Sequence, residues 1–167
     1  MSDPITPAER EIVARQLGRP PRAVRSVAHR CPCGQPDVVE TFPRLEDGTP
    51  FPTLYYLTCP RATAAASRLE AAGRMKEWQQ DLVSDPGLAE GYLRAHEAYL
   101  AERDARGMLP TRTTAGGMPD RVKCLHALAG HALAAGPGVN PIGDRAVEAM
   151  GEWWAAGRCA LPAAEAP

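Results

Sequence analysis

The residue pattern changes abruptly near Pro60, and this change constrains the fold more than any other feature of the sequence. Before it, β-branched and aromatic residues alternate with polar ones, which predicts strands over residues 23–28, 38–42 and 53–58. After it, Ala-rich stretches predict helices. We therefore predict an α+β fold, with a small antiparallel sheet of about three strands near the N-terminus packed against a helical C-terminal half.

Capping and breaking residues mark the expected ends of the helices. The segment Thr6-Pro7-Ala8-Glu9 has the form of a capping box, which predicts a helix from residue 7 to Leu17 that ends at Gly18. Further helices are predicted over residues 61–72, 74–83, 86–106 and 120–135, and from Asp144 through Trp153 and Trp154. The stretch 107–120 is expected to be a long loop, and long ordered loops are often functional.

The composition suits one folded domain. With 44% hydrophobic and 23% charged residues, a chain of 167 residues is long enough to bury a hydrophobic core. We predict a single domain over residues 1–161, followed by a disordered tail over residues 162–167.

Charge and aromatic content argue against a nucleic-acid partner. The formal net charge is -1 and 5% of the residues are aromatic, so neither a basic surface nor a stacking platform is expected. The sequence has no apolar run of roughly 18 residues and no secretion signal at its start. We therefore expect a cytoplasmic protein with no membrane association, whose five cysteines are thiols or metal ligands and not disulfides.

Cysteines stand at the ends of two predicted strands. Cys31 and Cys33 follow the first strand and Cys59 ends the third, so an antiparallel meander would bring both ends to one edge of the sheet. Such thiolates could bind one metal ion. Zinc is favoured over an iron-sulfur cluster, because histidine would share the ligation and the spacing lacks the compact cysteine runs of ferredoxins. Cys159, near the C-terminus, is expected to take no part.

Two further candidate ligands lie on the helix predicted over residues 120–135. At 100° per residue, His131 falls about 20° from Cys124 and two turns away, whereas His126 falls on the opposite side. The preferred metal ligands are therefore Cys31, Cys59, Cys124 and His131, with Cys33 as an alternate. Packing is an alternative explanation, since cysteine is among the most often buried residue types.

A second set of polar residues could form a pocket for an anion. The glycines at 116 and 117 would allow close approach to a phosphate or carboxylate at a helix N-terminus, which an arginine would clamp. The candidate binding residues are Arg44, Asp47, Arg121, Lys123 and Asn140. The alternative is that these residues serve turns, helix caps and surface ion pairs.

Several segments resemble a known family. They are Arg30-Cys31-Pro32, residues 43–58, residues 116–126 and Gly138-Val139-Asn140-Pro141. Together they are similar to the actinobacterial domain of unknown function 501 family over nearly the whole chain. The resemblance implies a cytoplasmic actinobacterial protein, often encoded beside a septum-formation initiator protein, enolase and an exopolyphosphatase-like protein. It also implies that Cys33 can be another residue and that Cys59 can be His, an exchange that a metal ligand tolerates and a packing thiol does not.

Two classes of function follow from these features. The first is a zinc-stabilised binding or adaptor protein that recognises another protein, with a link to cell division suggested by the gene neighbourhood. The second is a hydrolase or transferase acting on a phosphorylated or acyl small molecule, through zinc-bound water or through Cys124 as a thiolate paired with His126 or His131. The expected partners are another protein or a small anionic ligand. An enzyme would show an open cleft joining the loop 107–120 to the cysteines, and a binding module would show closed metal ligation.

Overall fold

The structure, a computed structural model, describes residues 3–157. Three strands come first: β1 (Val24–Arg30), β2 (Pro36–Thr41) and β3 (Tyr55–Leu57). Helix α1 (Pro7–Leu17) precedes them, and α2 (Pro60–Ala71), α3 (Arg74–Ser84), α4 (Pro86–Arg106), α5 (Leu125–Ala135) and α6 (Pro141–Met150) follow. The predicted α+β fold is confirmed. Cys159 and the tail expected over residues 162–167 lie outside the described residues.

The strands form an antiparallel meander in the order β1-β2-β3. Successive residues of a strand face opposite sides of a sheet, so Val38 and Val39 of β2 pack in different hydrophobic clusters. Val39 packs with Val13 of α1 in a small cluster on one face. Val38 belongs to the main hydrophobic cluster on the other face, with residues of α2 to α6. The sheet therefore separates α1 from the remaining helices.

Helix α5 lies at the centre of the main cluster and packs against the sheet, α2 and α6. Its sequence is almost entirely apolar, and most of its residues are buried. Helix α6 approaches it closely at Gly143, where a Cβ atom would lie 2.3 Å from the backbone oxygen of Leu128. A side chain at position 143 would force the two helices apart.

Two helices begin at different residues from those predicted. Helix α5 begins at Leu125 and not at residue 120, because the preceding amides bond elsewhere: Val122 N to the Gln79 side chain at 2.9 Å and Lys123 N to Gly116 O at 2.7 Å. Helix α6 begins at Pro141 and not at Asp144, because the Asn140 side chain caps it. It ends at Met150, before Trp153 and Trp154.

The segment between α4 and α5, residues 107–124, is held by side chains of the helices that it crosses. Arg103 of α4 is fully buried and donates hydrogen bonds of 2.6 Å to the backbone oxygens of Thr111 and Thr113. His96, also on α4, lies 3.0 Å from the hydroxyl of Thr114. This long loop is therefore ordered, and it delivers Cys124 to the start of α5. Within residues 3–157, no helix is both long enough and apolar enough to cross a membrane.

Candidate functional site

Glu70, Cys124 and His126 form a cluster at the N-terminal end of α5. Glu70 lies near the end of α2, Cys124 is the residue that precedes the first turn of α5, and His126 lies within that turn. One ligand atom from each lies within 4.8 Å of the other two, and all three residues are half-buried. Among the described residues, these three side chains are the ones that lie close enough together to hold a metal ion. We call it the Cys-His-Glu cluster.

Both ring nitrogens of His126 face hydrogen-bond acceptors. Nδ1 lies 3.0 Å from Oε1 of Glu70, and Nε2 lies 3.2 Å from the backbone oxygen of Thr63 and 3.2 Å from the hydroxyl of Ser67. A carboxylate and a carbonyl oxygen accept only, so each nitrogen must carry a proton to make both contacts. The geometry therefore favours the imidazolium form of His126.

The pKa values of the two neighbouring groups shift in opposite directions. The neighbouring Cys124 sulfur, helped by Glu70 and opposed by burial, raises the pKa of His126 to about 9. The neighbouring His126 ring lowers the pKa of the Cys124 thiol, against the effect of burial. A thiolate before the first turn of a helix also gains from the positive end of the helix dipole. Cys124 and His126 are thus arranged as a thiolate and imidazolium pair, which Glu70 orients.

A cavity of about 700 Å³ opens beside this pair. Its walls come from the end of α1, from β3 and the residues flanking it, from the start of α2 and from the first turn of α5. Most of the lining is apolar, and it includes no Lys, Arg, Asp or Glu side chain. The volume falls in the range of sites that bind small molecules.

Two polar side chains that line the cavity lack hydrogen-bond partners among the described residues. The hydroxyl of Thr58 is buried without a partner, and so is Oε1 of Gln16, whose Nε2 donates to Pro36 O at 2.7 Å. Thr58 as a whole is only 2% exposed. Both atoms are shielded from solvent and from the cavity, and a buried polar group without a partner costs stability.

Of the metal ligands expected from the sequence, the cluster contains only Cys124. Cys31 is buried in the main hydrophobic cluster, and Cys33 packs against it from a half-buried position. Cys59 is fully buried and caps α2, where its sulfur accepts a hydrogen bond from Ala62 N at 3.5 Å. The meander does bring the ends of β1 and β3 to one edge of the sheet, as predicted.

His131, the fourth expected ligand, lies in the core. Its ring stacks on Tyr55 and meets Tyr99 edge-on, with centroid distances of 5.9 and 5.0 Å. Gly143 N donates to Oδ1 of Asn140, which leaves Nδ2 of Asn140 to donate to Nδ1 of His131 at 3.1 Å. Nδ1 is therefore an acceptor and the ring is neutral, and burial lowers the pKa of His131 to about 4. Since α5 rises about 1.5 Å per residue, His131 is roughly 9 Å along the axis from its first turn.

The residues proposed for an anion pocket serve local structure, and none of them lines the cavity. Arg44 donates to Gly48 O and Asp47 accepts from Thr49 N within one exposed turn. Arg121 and Lys123 have exposed side chains, and Asn140 caps α6. The close approach at Gly116 is to the protein itself, since a Cβ atom there would lie 2.5 Å from the Leu128 side chain.

The structure brings Cys124 and His126 together, although helix periodicity placed them on opposite sides. That prediction was wrong because Cys124 precedes α5, with extended backbone angles of φ -151° and ψ 106°. Glu70 was not singled out from the sequence. It lies near the end of an Ala-rich helix, and its contact with His126 joins residues 56 positions apart, which no local pattern reveals.

A family model described as "Protein of unknown function (DUF501)" matches residues 27–148, a segment that contains all three residues of the Cys-His-Glu cluster. Neither a curated protein nor a solved structure matches the chain.

Proposed function

The chain belongs to the DUF501 family, and from that starting point we propose that it is a cysteine-dependent enzyme that transfers or hydrolyses an acyl group. The observation that carries the proposal is the arrangement of Cys124, His126 and Glu70 beside a cavity of about 700 Å³. A nucleophile beside a histidine that a third group orients is the arrangement used for nucleophilic catalysis on several unrelated folds.

The cluster assigns a role to each side chain. The Cys124 thiolate attacks the carbonyl carbon of an ester or thioester, the bond to the leaving group breaks, and His126 gives its proton to the leaving group. The product is an acyl group carried on the Cys124 sulfur. Neutral His126 then takes a proton from water or from an acceptor alcohol, amine or thiol, whose attack on the acyl group restores the Cys124 thiolate. Glu70 holds the ring in place throughout.

The lining of the cavity favours an acyl substrate over a phosphorylated one. Phosphoryl transfer needs cations or a bound metal ion against the phosphate oxygens. Among the residues that line the cavity, His126 is the only cation, and a single imidazolium does not balance the double negative charge of a phosphate group. An uncharged carbonyl group needs no such neutralisation. A catalytic thiolate also suits a reducing compartment, which supports a cytoplasmic location.

Zinc binding at the same cluster is a second candidate function. It is supported by three ligand atoms of the types that zinc prefers within 4.8 Å of one another, which would leave a fourth position open for water. Against it, a zinc ligand must offer a nitrogen lone pair, and His126 would have to give up its hydrogen bond to Glu70 or to Thr63 O. We therefore rank the thiolate first.

One experiment separates the two candidates. Protein purified without an affinity tag is analysed for metal, and is then incubated with a simple thioester and examined by intact-mass spectrometry. The thiolate proposal predicts a covalent acyl group that maps to Cys124 in metal-free protein, and that is absent from Cys124→Ser but present in the control Cys33→Ser. Stoichiometric zinc that is lost in Cys124→Ser and retained in Cys33→Ser, with no acylation, would overturn it in favour of the metal.

A further inference from the structure

We infer that Ser67 is a second nucleophile of this site, which shares His126 with Cys124 and accepts an acyl group from an activated ester or thioester. The groups that carry this inference are the Ser67 hydroxyl, the His126 ring and the Glu70 carboxylate. The activity goes beyond the proposed function, because it requires neither the Cys124 sulfur nor the cavity.

The two ring nitrogens of His126 join a hydroxyl to a carboxylate. Oγ of Ser67 lies 3.2 Å from Nε2, and Oε1 of Glu70 lies 3.0 Å from Nδ1. A serine hydroxyl at one ring nitrogen and a carboxylate at the other are the contacts that turn a serine into a nucleophile in hydrolases. The distance from Oγ to Nε2 is within the range for proton transfer. The contacts of His126 thus match those of a Ser-His-Glu triad.

One face of α2 supplies both partners of the ring. Ser67 and Glu70 are three residues apart in this helix, so their side chains lie on the same face. Leu125 N donates to Oε1 of Glu70 at 2.9 Å, which holds the carboxylate in place. Glu70 therefore fixes the orientation of the ring, with Nε2 toward Ser67.

The contacts of Ser67 differ from those of a comparable serine, Ser84. Both serines are exposed and belong to helices. Oγ of Ser84 donates to the backbone oxygens of Gln80 and Asp81 at 3.2 and 3.4 Å, a local pattern that is usual for serine in a helix. Oγ of Ser67 contacts a ring nitrogen that is 59 positions away in the sequence. Ser84 therefore provides a reference serine in the same chain.

The two nucleophiles face different surroundings. Cys124 lines the cavity of about 700 Å³, whereas Ser67 is exposed and lies outside that lining. An acyl donor can therefore reach Ser67 from solvent without entering the cavity.

The proton on Nε2 decides whether Ser67 reacts. In the imidazolium form Nε2 donates, and the Ser67 oxygen accepts from it. In the neutral ring whose proton is on Nδ1, facing Glu70, Nε2 accepts the Ser67 proton. Oγ then bonds to the carbonyl carbon of the donor, the bond to the leaving group breaks, and the proton passes from Nε2 to the leaving group or to water. The product is an ester on Ser67.

The test measures acetylation of Cys124→Ala protein by p-nitrophenyl acetate at pH 8, with the modified residues mapped by peptide mass spectrometry. Without the sulfur that favours the imidazolium form, Ser67 should react about a hundredfold faster than Ser84. His126→Asn in the same background should lower the rate at Ser67 to that at Ser84. Glu70→Gln should lower it at least about tenfold, because an amide can donate to Nδ1 and so favours the proton on Nε2.

The rate at Ser84 also reveals a folding defect, because an unfolded chain would expose both serines equally and activate neither. Equal rates at Ser67 and Ser84 in Cys124→Ala protein, or a Ser67 rate that His126→Asn does not change, would overturn the inference. If wild-type Cys124 is acylated all the same, the proposed function stands. Acetylation of Ser67 without any acylation of wild-type Cys124 would instead overturn the proposed function and leave the inference.

Discussion

Oε1 of Glu70 lies 3.0 Å from Nδ1 of His126, a contact that joins the end of α2 to the first turn of α5. The same oxygen accepts a hydrogen bond of 2.9 Å from Leu125 N. Glu70 therefore satisfies one of the free amides at the helix N-terminus and orients the histidine at the same time. The packing of α2 on α5 fixes the geometry of the reactive group.

Removing His126 should make Cys124 less reactive at neutral pH. In His126→Asn the main cause of the lowered Cys124 pKa is lost, so the thiolate fraction at pH 7 falls about tenfold for each unit by which the pKa rises. Alkylation of Cys124 by iodoacetamide, followed by peptide mass spectrometry, should slow accordingly at pH 7. The wild-type and variant rates should converge near pH 10, where both thiols are ionised. Ser67→Ala, which removes another contact of His126, serves as the control. Equal alkylation rates for His126→Asn and wild type at pH 7 would contradict the pairing of Cys124 with His126.

Glu70→Gln should lower the pKa of His126 below about 9, because the charge and the hydrogen bond of Glu70 both raise it. The measurement is an NMR titration of the His126 ring. Glu77→Gln is the matched control, since Glu77 is exposed on α3 and pairs only with Arg74 among the described residues. An unchanged titration in Glu70→Gln would show that the carboxylate does not act on His126.

The ion pair between Glu70 and His126 predicts that the stability of the protein depends on pH. Folding raises the pKa of His126 above its ordinary value of 6.5, so its contribution to the free energy of unfolding is complete below pH 6.5. It is lost as the pH rises through about 9. Urea unfolding of wild type and Glu70→Gln should therefore differ most near pH 6, and the difference should shrink between pH 6.5 and 9. A difference that grows over this interval would have the wrong sign.

Two equally buried threonines should respond in opposite ways to loss of the hydroxyl. Thr41 and Thr58 are each 2% exposed, but the Thr41 hydroxyl donates to Thr53 O at 2.6 Å, whereas the Thr58 hydroxyl has no partner among residues 3–157. Thr41→Val should lower the free energy of unfolding by about 1 kcal/mol, whereas Thr58→Val should raise it by up to about 1 kcal/mol. Urea denaturation measures both values. Equal losses in the two variants would mean that the Thr58 hydroxyl has a partner in solution.

His131 should make the protein sensitive to acid. Burial lowers its pKa to about 4 in the folded protein, so the unfolded chain takes up the proton first as the pH falls below 6.5. The free energy of unfolding should drop by up to about 3 kcal/mol between pH 6.5 and 4 from this group. His131→Gln should show a smaller decrease over this interval, whatever its stability at pH 7. Parallel pH profiles for the two proteins would show that His131 is not the group that titrates.

The sequence predicted the elements of the fold well where local signals are strong. The capping box at Thr6 and Glu9 forms as expected, with Glu9 N donating to the Thr6 hydroxyl at 3.2 Å. Strands and the first four helices follow the residue pattern to within a few positions. The start of α5 was misjudged because Val122 N bonds to Gln79, a partner 43 residues away, and such a contact leaves no mark in the local sequence.

That misjudged boundary also limited the prediction of the site. Helix periodicity separated Cys124 from His126, and it paired Cys124 with His131, which Asn140 holds in the core. The cysteine and histidine of the cluster were among the candidate residues, but Glu70 and Thr58 were not. Glu70 reaches the site because α2 packs against α5. Thr58 stands out because its buried hydroxyl has no hydrogen-bond partner among the described residues. Both are properties of the folded chain.

The cavity is walled by three stretches that are distant in the sequence, at Gln16 and Leu17, at residues 53–64 and at residues 124–127. Helix α1 contributes Val13 and Leu17 to its small cluster on the far face of the sheet. An occupant would connect α1 directly to α5, so it would suppress local unfolding of α1 as well as global unfolding. In hydrogen exchange, bound ligand would then protect the amides of α1, although every residue of the Cys-His-Glu cluster lies elsewhere in the chain.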